Sequence, residues 1–197
     1  MLAPITGLTD LSGYVSISGI LNSSGSSSTS IKQKLNGSIK YIGKQFVYKG
    51  LDIDATIAGI DDSSLSGIQK LQAINKNLTT GQTYIDDIKG SITIKNGILT
   101  SADTQFFNNR MSGTYSANYN AWSNDVNAAT MFFFKPINNQ NNTLKIGINI
   151  AGRLPKNYKS DYNLDELISY IKRTSPDDTI PQSVMNNKSV RDRAVNY

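Results

Sequence analysis

The 197-residue chain contains neither histidine nor cysteine. Without imidazole or thiolate, Ser-His-Asp and Cys-His nucleophilic catalysis are excluded, as are the His- and Cys-rich sites that hold zinc, haem or iron–sulfur clusters. Metals bound through oxygen alone, calcium or magnesium, stay open. No disulfide framework can form, and a cysteine-free chain suits the periplasm as well as the cytosol. No apolar run reaches membrane-spanning length, and the opening MLAPITGLTDL lacks the basic segment and apolar core of a signal peptide. An exported protein would therefore carry this chain as a C-terminal piece of something longer, with Met1 added or fortuitous.

Charge is also sparse and nearly balanced, with 20 Lys+Arg against 15 Asp+Glu and a net +5. The basic residues form neither an arginine-rich arm nor a recognition helix, so no nucleic-acid partner is expected. Lys32, Lys34, Lys40, Lys44 and Lys49 bias the first part of the chain. They suit contact with anionic head groups, or simply solvate a face and discourage edge pairing.

Glycines occur singly, without GxGxxG or GxxxxGK[ST] spacing, so nucleotide chemistry has no support. The acid pairs Asp61-Asp62, Asp86-Asp87 and Asp177-Asp178 lack the alternating ligands, central Gly and terminal Glu of a calcium loop, and read as caps and solvated turns. Sequons at Asn22, Asn36, Asn77, Asn141 and Asn187 follow from a chain rich in Asn and Ser. No catalytic residue, metal or cofactor is expected, and the chain is not read as an enzyme.

What the chain does have is alternation. Val15, Ile17, Gly19 and Leu21 alternate with Tyr14, Ser16 and Ser18, as in a half-buried strand. The Ser/Gly run Ser23 to Ser30 reads as a flexible connection. Leu35, Gly37, Ile39 and Tyr41 restart the pattern, and Gly43 precedes a further extended stretch through Phe46 and Tyr48, which reads as a hairpin or a bent strand. Leu51, Ile53, Ala55, Ile57 and Ala58 fit a strand or a helix, and Asp52 or Asp54 as a cap favours the helix. Leu65, Ile68, Leu71 and Ile74 predict a second helix to about Lys76, capped within Asp61 to Ser64.

Ile88, Gly90, Ile92 and Ile94 then alternate strictly up to Asn96-Gly97, a type I′ hairpin signal with Ile98 to Phe107 as the return strand. Met111 to Tyr119, Val126 to Phe134 and Leu144 to Ile150 follow as strands, and the spacing of Leu164, Leu167, Ile168 and Ile171 predicts a helix over Asp161 to Ile171. Beyond Thr174 a polar, loosely held tail is expected. The predicted fold is mainly β with a few short helices: an antiparallel meander forming a bent, groove-like sheet with helices packed on it. The division is 1–152 for the β domain and 153–197 for the C-terminal helix and tail.

Such a sheet must cover its apolar face with helices, a second sheet or acyl chains. Phe106, Phe107, Tyr115, Tyr119, Phe132, Phe133 and Phe134 load adjacent strands with large apolar surface, as plain core or as a concave surface for lipid tails. Burial against acyl chains gains about 25 cal/mol per Å² without any catalytic group.

The order of segments also resembles a family. Lys34-Leu35-Asn36-Gly37-Ser38-Ile39, followed by Gly50-Leu51-Asp52-Ile53-Asp54-Ala55, is similar to the C-terminal region of AsmA-like proteins, in which an LxGxxxxxxG strand pair leads into a helix opening GxDLDA. Ile88 to Leu99, with its Asn96-Gly97 turn, and Met111-Ser112-Gly113-Thr114-Tyr115 resemble that family's next strands. Leu11 to Gly19 is similar to its upstream LxGxxxxxG strand, so the resemblance covers residues 8–152. Tyr115 departs from the usual small or Ser/Thr pattern, and the stretch after Ile150 is long.

The resemblance implies a periplasmic protein related to TamB, anchored in the inner membrane by an N-terminal helix outside this chain. It also implies a β-sheet groove that carries phospholipid towards the outer membrane and affects its assembly, without catalytic residues. The candidate lipid contacts are Ile92, Ile94, Tyr115, Tyr119, Phe132, Phe134, Ile146 and Ile148. The partners expected are phospholipid or a membrane surface, together with outer-membrane assembly proteins. The alternative is a non-catalytic structural or interaction module whose apolar face is fully covered, and a β-barrel fragment is disfavoured by the helical interruptions.

Overall fold

The computed structural model describes residues 11–175 and 191–192. Eight strands follow one another as a meander: β1 (Leu11–Asn22), β2 (Asn36–Lys49), β3 (Gln82–Lys95), β4 (Ile98–Phe107), β5 (Met111–Asn120), β6 (Asp125–Phe134), β7 (Leu144–Arg153) and β8 (Tyr158–Asn163). Each pairs antiparallel with the next, and the two-residue β9 (Arg191–Asp192) pairs with β8. Among the described residues the sheet is not closed, and β1 at one side and β8 with β9 at the other are its edges.

Four short helices accompany it: α1 (Ser28–Gln33), α2 (Ile53–Asp61), α3 (Gly67–Asn77) and α4 (Asp165–Thr174). Both middle helices begin where a side chain satisfies an orphan N–H. Asp52 Oδ1 accepts from the Ala55 N–H at 2.8 Å, and Ser66 with Gln69 forms a reciprocal capping box. The second cap thus falls two residues beyond the expected Asp61 to Ser64 window. Asp62 instead accepts from the N–H and hydroxyl of Ser64 in the connecting turn.

Thr83 fixes α2 to the sheet, its hydroxyl donating to the Leu51 carbonyl at 2.7 Å and accepting from the Ile53 N–H at 3.2 Å. Ile53, Ile57 and Ile60 of α2, Leu71 and Ile74 of α3, and Leu167, Tyr170 and Ile171 of α4 then share one core with Phe46, Phe106, Phe132, Phe134, Leu144 and Ile146 of the sheet. Each such aliphatic or aromatic side chain contributes about 1.5–3 kcal/mol on burial. Phe106 and Phe132 meet edge to face at 5.2 Å.

Two expectations change. The Ser/Gly connection contains α1, capped by Ser27 accepting from the Ser30 N–H. The helix expected from Asp161 starts at Asp165, because Tyr158–Asn163 pairs with β7 and gains ladder hydrogen bonds there that a helical turn would forgo. The sheet therefore continues across position 152. Most of the tail expected after Thr174 lies outside the described residues.

Candidate functional site

Register and alternation define one inner face, on the side of α2, α3 and α4. From β1 to β8 its rows include Ile17 beside Tyr41 and Gly90, Gly19 beside Ile39 and Ile92, and Leu21 beside Gly37, Ile94 and Leu99. The rows continue through Tyr119 beside Val126 and Gly152, Ala117 beside Ala128 and Ile150, and Tyr115 beside Thr130, Ile148 and Tyr162. Two irregularities keep the apolar residues on this side. At Gln45, where φ is +55°, the alternation slips and Phe46 returns to the face that Gly43 occupies. Between Ser101 and Thr104 a bulge does the same for β4.

None of these inner positions carries Lys, Arg, Asp or Glu. The charges of the strands stand on the opposite face. Lys40, Lys89, Lys95 and Lys159 are exposed there, Lys44 lies 3.6 Å from Asp87, and Arg153 pairs with Asp125. The lysines anticipated as head-group contacts thus sit behind the apolar face or, for Lys32 and Lys34, beside its end at α1.

The inner face has two halves. Under α2, α3 and α4 lie Phe46, Ile85, Phe106, Phe132, Phe134 and Ile146, all closed from solvent. In the other half Ile39, Ile92, Leu99, Tyr119, Val126, Ile150 and Tyr158 are half-buried, and at the β1 rim Ile17 and Leu21 are 60% and 52% exposed. Ile94 and Ala128 are buried there, apart from the main core. The end of this half is built by the Asn96-Gly97 turn: the Gly97 N–H donates to the Leu35 carbonyl at 2.8 Å, and the Gly97 carbonyl accepts from the Ala121 N–H at 2.9 Å. Trp122, the chain's one tryptophan, stands beside this turn.

Between the halves runs a row of hydroxyls. Tyr41 reaches across Gly90 to hydrogen-bond Thr104 Oγ1, which also bonds Ser101 Oγ at 2.8 Å. Tyr115 stands near Tyr41, and burial, then Tyr41, raises its phenol above the ordinary 10.0. Tyr162 donates to the Leu78 carbonyl at 3.2 Å, tying β8 to the end of α3. The row can orient a polar group at the floor of the uncovered half.

The eight anticipated lipid contacts separate accordingly. Ile92, Tyr115, Tyr119 and Ile148 are half-buried on the inner face, and Ile94 is at the floor of its uncovered half. Phe132, Phe134 and Ile146 are core: Ile146 is 0% exposed, because the helices seat on that part of β6 and β7. Leu21, Ile39, Leu99 and Ile150 were not anticipated as contacts. Their alternation was visible, but not which end of each strand the helices leave open.

Asp61 of the first acid pair accepts hydrogen bonds from the backbone N–H groups of Ile137 and Asn138, holding the β6–β7 loop on α2. Asp177 and Asp178 lie outside the described residues. Among the described residues no three His, Cys, Asp or Glu are grouped to hold a metal, and no helix is long and apolar enough to cross a membrane. A 380 Å³ cleft beside α4 is lined by Thr143, Asp165, Ser169 and Arg173, together with Glu166, which pairs with Lys145 at 2.6 Å. The chain matches no family model, no curated protein and no solved structure.

Proposed function

We propose that this chain is a non-catalytic module of the bacterial cell envelope that holds or conducts phospholipid by its acyl chains along the uncovered half of the inner face. The observation that carries this reading is an inner face without a formal charge across eight strands, closed by helices over only one half. An apolar surface of that extent is normally covered, and a flat row of Ile, Leu, Val and Tyr side chains suits a flexible alkyl chain better than a rigid polar ligand. The hydroxyl row at Tyr41, Thr104 and Tyr115 gives the half a polar border against which an ester or glycerol can stop.

In this proposal the AsmA-like resemblance supplies the setting: a periplasmic location, an inner-membrane anchor outside this chain, and a part in outer-membrane assembly. The module works by burial and needs neither cofactor nor catalytic residue. A second reading, a docking module for outer-membrane assembly proteins, draws on the exposed Tyr14, Ile20 and Ile42, which stand on the outer face of β1 and β2.

Native mass spectrometry of the chain purified from a bacterial periplasm tests the first reading. Co-purifying phospholipid is expected, reduced by Leu99→Glu or Ile39→Glu in the uncovered half and unchanged by Thr114→Glu on the outer face, with circular dichroism constant throughout. A lipid-free mass under gentle conditions, with no uptake from added phosphatidylethanolamine and phosphatidylglycerol vesicles, rejects it in favour of docking.

A further inference from the structure

We infer that β1 is the interface of a symmetric homodimer in which two copies join edge to edge into one continuous antiparallel sheet. Among the described residues nothing pairs with the outer edge of β1. The opposite edge is managed in the usual way: β8 is six residues long, carries Lys159 and Asp161, and is partly paired by Arg191–Asp192. By contrast β1 is twelve residues long and contains no Lys, Arg, Asp, Glu or Pro. Its single irregularity lies between Ser12 and Tyr14, so Tyr14 to Asn22 is an unbroken edge in regular register with β2.

The occupant is a second copy because the edge complements itself. A two-fold axis through Ile17, perpendicular to the sheet, sets Ile17 against Ile17 and Val15 against Gly19 on the inner face. On the outer face it sets Tyr14 against Ile20 and Ser16 against Ser18. Large meets small or apolar meets apolar, and hydroxyl meets hydroxyl, as stable cross-strand pairs require. Moving the axis by one residue to Ser18 places Tyr14 opposite Asn22 and Ile20 opposite Ser16, so the two exposed apolar side chains of the outer face no longer meet.

The side chains brought together are exposed in the single chain: Tyr14 at 74%, Ile20 at 68%, and Ile17 and Leu21 as above. Pairing shields the facing flanks of these side chains and covers the backbone edge between them, an interface at the small end of specific ones, where stable interfaces begin at about 1,200 Å² in total. The two inner faces join on the same side of the sheet. The inference stands whether or not that surface holds lipid.

Sedimentation equilibrium across a concentration series tests it, with a cysteine introduced into this cysteine-free chain to report the register. The wild-type chain is expected to dimerise. Ile17→Lys, which faces two ammonium groups across the axis, weakens the dimer at least tenfold without changing the circular dichroism spectrum. Ile17→Cys is expected to form a disulfide dimer under mild oxidation, while Ile42→Cys, equally exposed but one strand inward, stays monomeric. A chain that remains monomeric at several hundred micromolar and cross-links no faster through Ile17→Cys than through Ile42→Cys overturns the inference.

Discussion

Phe106 and Gly113 are direct partners across β4 and β5, and the Phe106 ring occupies the space that a side chain on Gly113 would need. A Cβ there would lie 2.1 Å from Phe106 Cζ and 2.7 Å from the Met131 carbonyl oxygen. The same device recurs where the Tyr41 ring crosses Gly90, its partner on β3. An aromatic ring laid over a bare backbone pins the register of a strand pair and fills the face that the glycine leaves empty.

Gly113→Ala is therefore expected to destabilise the fold by about 1–3 kcal/mol through overpacking. Combining it with Phe106→Leu relieves part of that cost. The remainder persists, because the Met131 carbonyl is backbone and cannot swing away. Urea denaturation of the two single variants and the double variant measures the coupling.

Thr104→Val removes the central hydroxyl of the Tyr41–Thr104–Ser101 row while keeping its shape. Tyr41 and Ser101 each lose a partner in a buried setting, at an expected cost of about 1–3 kcal/mol. Tyr41→Phe with Thr104→Val together is expected to cost less than the sum of the two, which thermal melts of the set would show.

Asp52→Ala deletes the cap of α2 and is expected to cost about 1 kcal/mol, whereas Asp52→Asn, which still presents an oxygen to the Ala55 N–H, costs much less. Because α2 lies on Phe46 and Ile85, the loss appears as a lower urea midpoint with an unchanged slope.

Asp103 accepts the Ser91 hydroxyl at 2.8 Å and the Ser91 N–H at 2.9 Å, and these bonds hold its carboxyl below the ordinary 3.8. Asp62 with Ser64, and Asp125 with Ser123 and then Arg153, are lowered likewise. A depressed folded pKa means that the contribution is complete above the ordinary carboxylate value and is lost as pH falls through that value and then the folded one. Stability is expected to be flat above about pH 5 and to decline below pH 4. In an NMR titration of the side-chain carboxyls, Ser91→Ala should move Asp103 upwards and leave Asp62 in place.

Much of the fold was legible because strict alternation ends at an unambiguous turn. Ile88 to Lys95 and Asn96-Gly97 give the second part of β3, its hairpin and the face of each residue from Ile88 on, and Asn96 and Gly97 adopt the positive φ of +50° and +74° that the turn requires. Residues 161–163 were misread as helix because Leu164, Leu167, Ile168 and Ile171 have a helical spacing that was extended back to Asp161, and 158–160 showed no pattern of their own. The competing partner, the edge of β7, is nonlocal and leaves no mark within the segment. For the site, the sequence revealed the side and not the depth. Val126, Ala128, Phe132 and Phe134 share one alternation, yet α2, α3 and α4 cover only the phenylalanine end, a consequence of where helices after β2 and β8 fold back.

The most direct test of acyl-chain binding uses Trp122, 47% exposed beside the Gly97 turn at the end of the uncovered half. Its fluorescence is followed while phospholipids brominated along their acyl chains are added, with unbrominated lipid as the reference. The account predicts saturable quenching by the brominated chains, abolished by Leu99→Glu in a folded protein. Fluorescence that stays constant through the titration, or quenching that Leu99→Glu leaves intact, would contradict it.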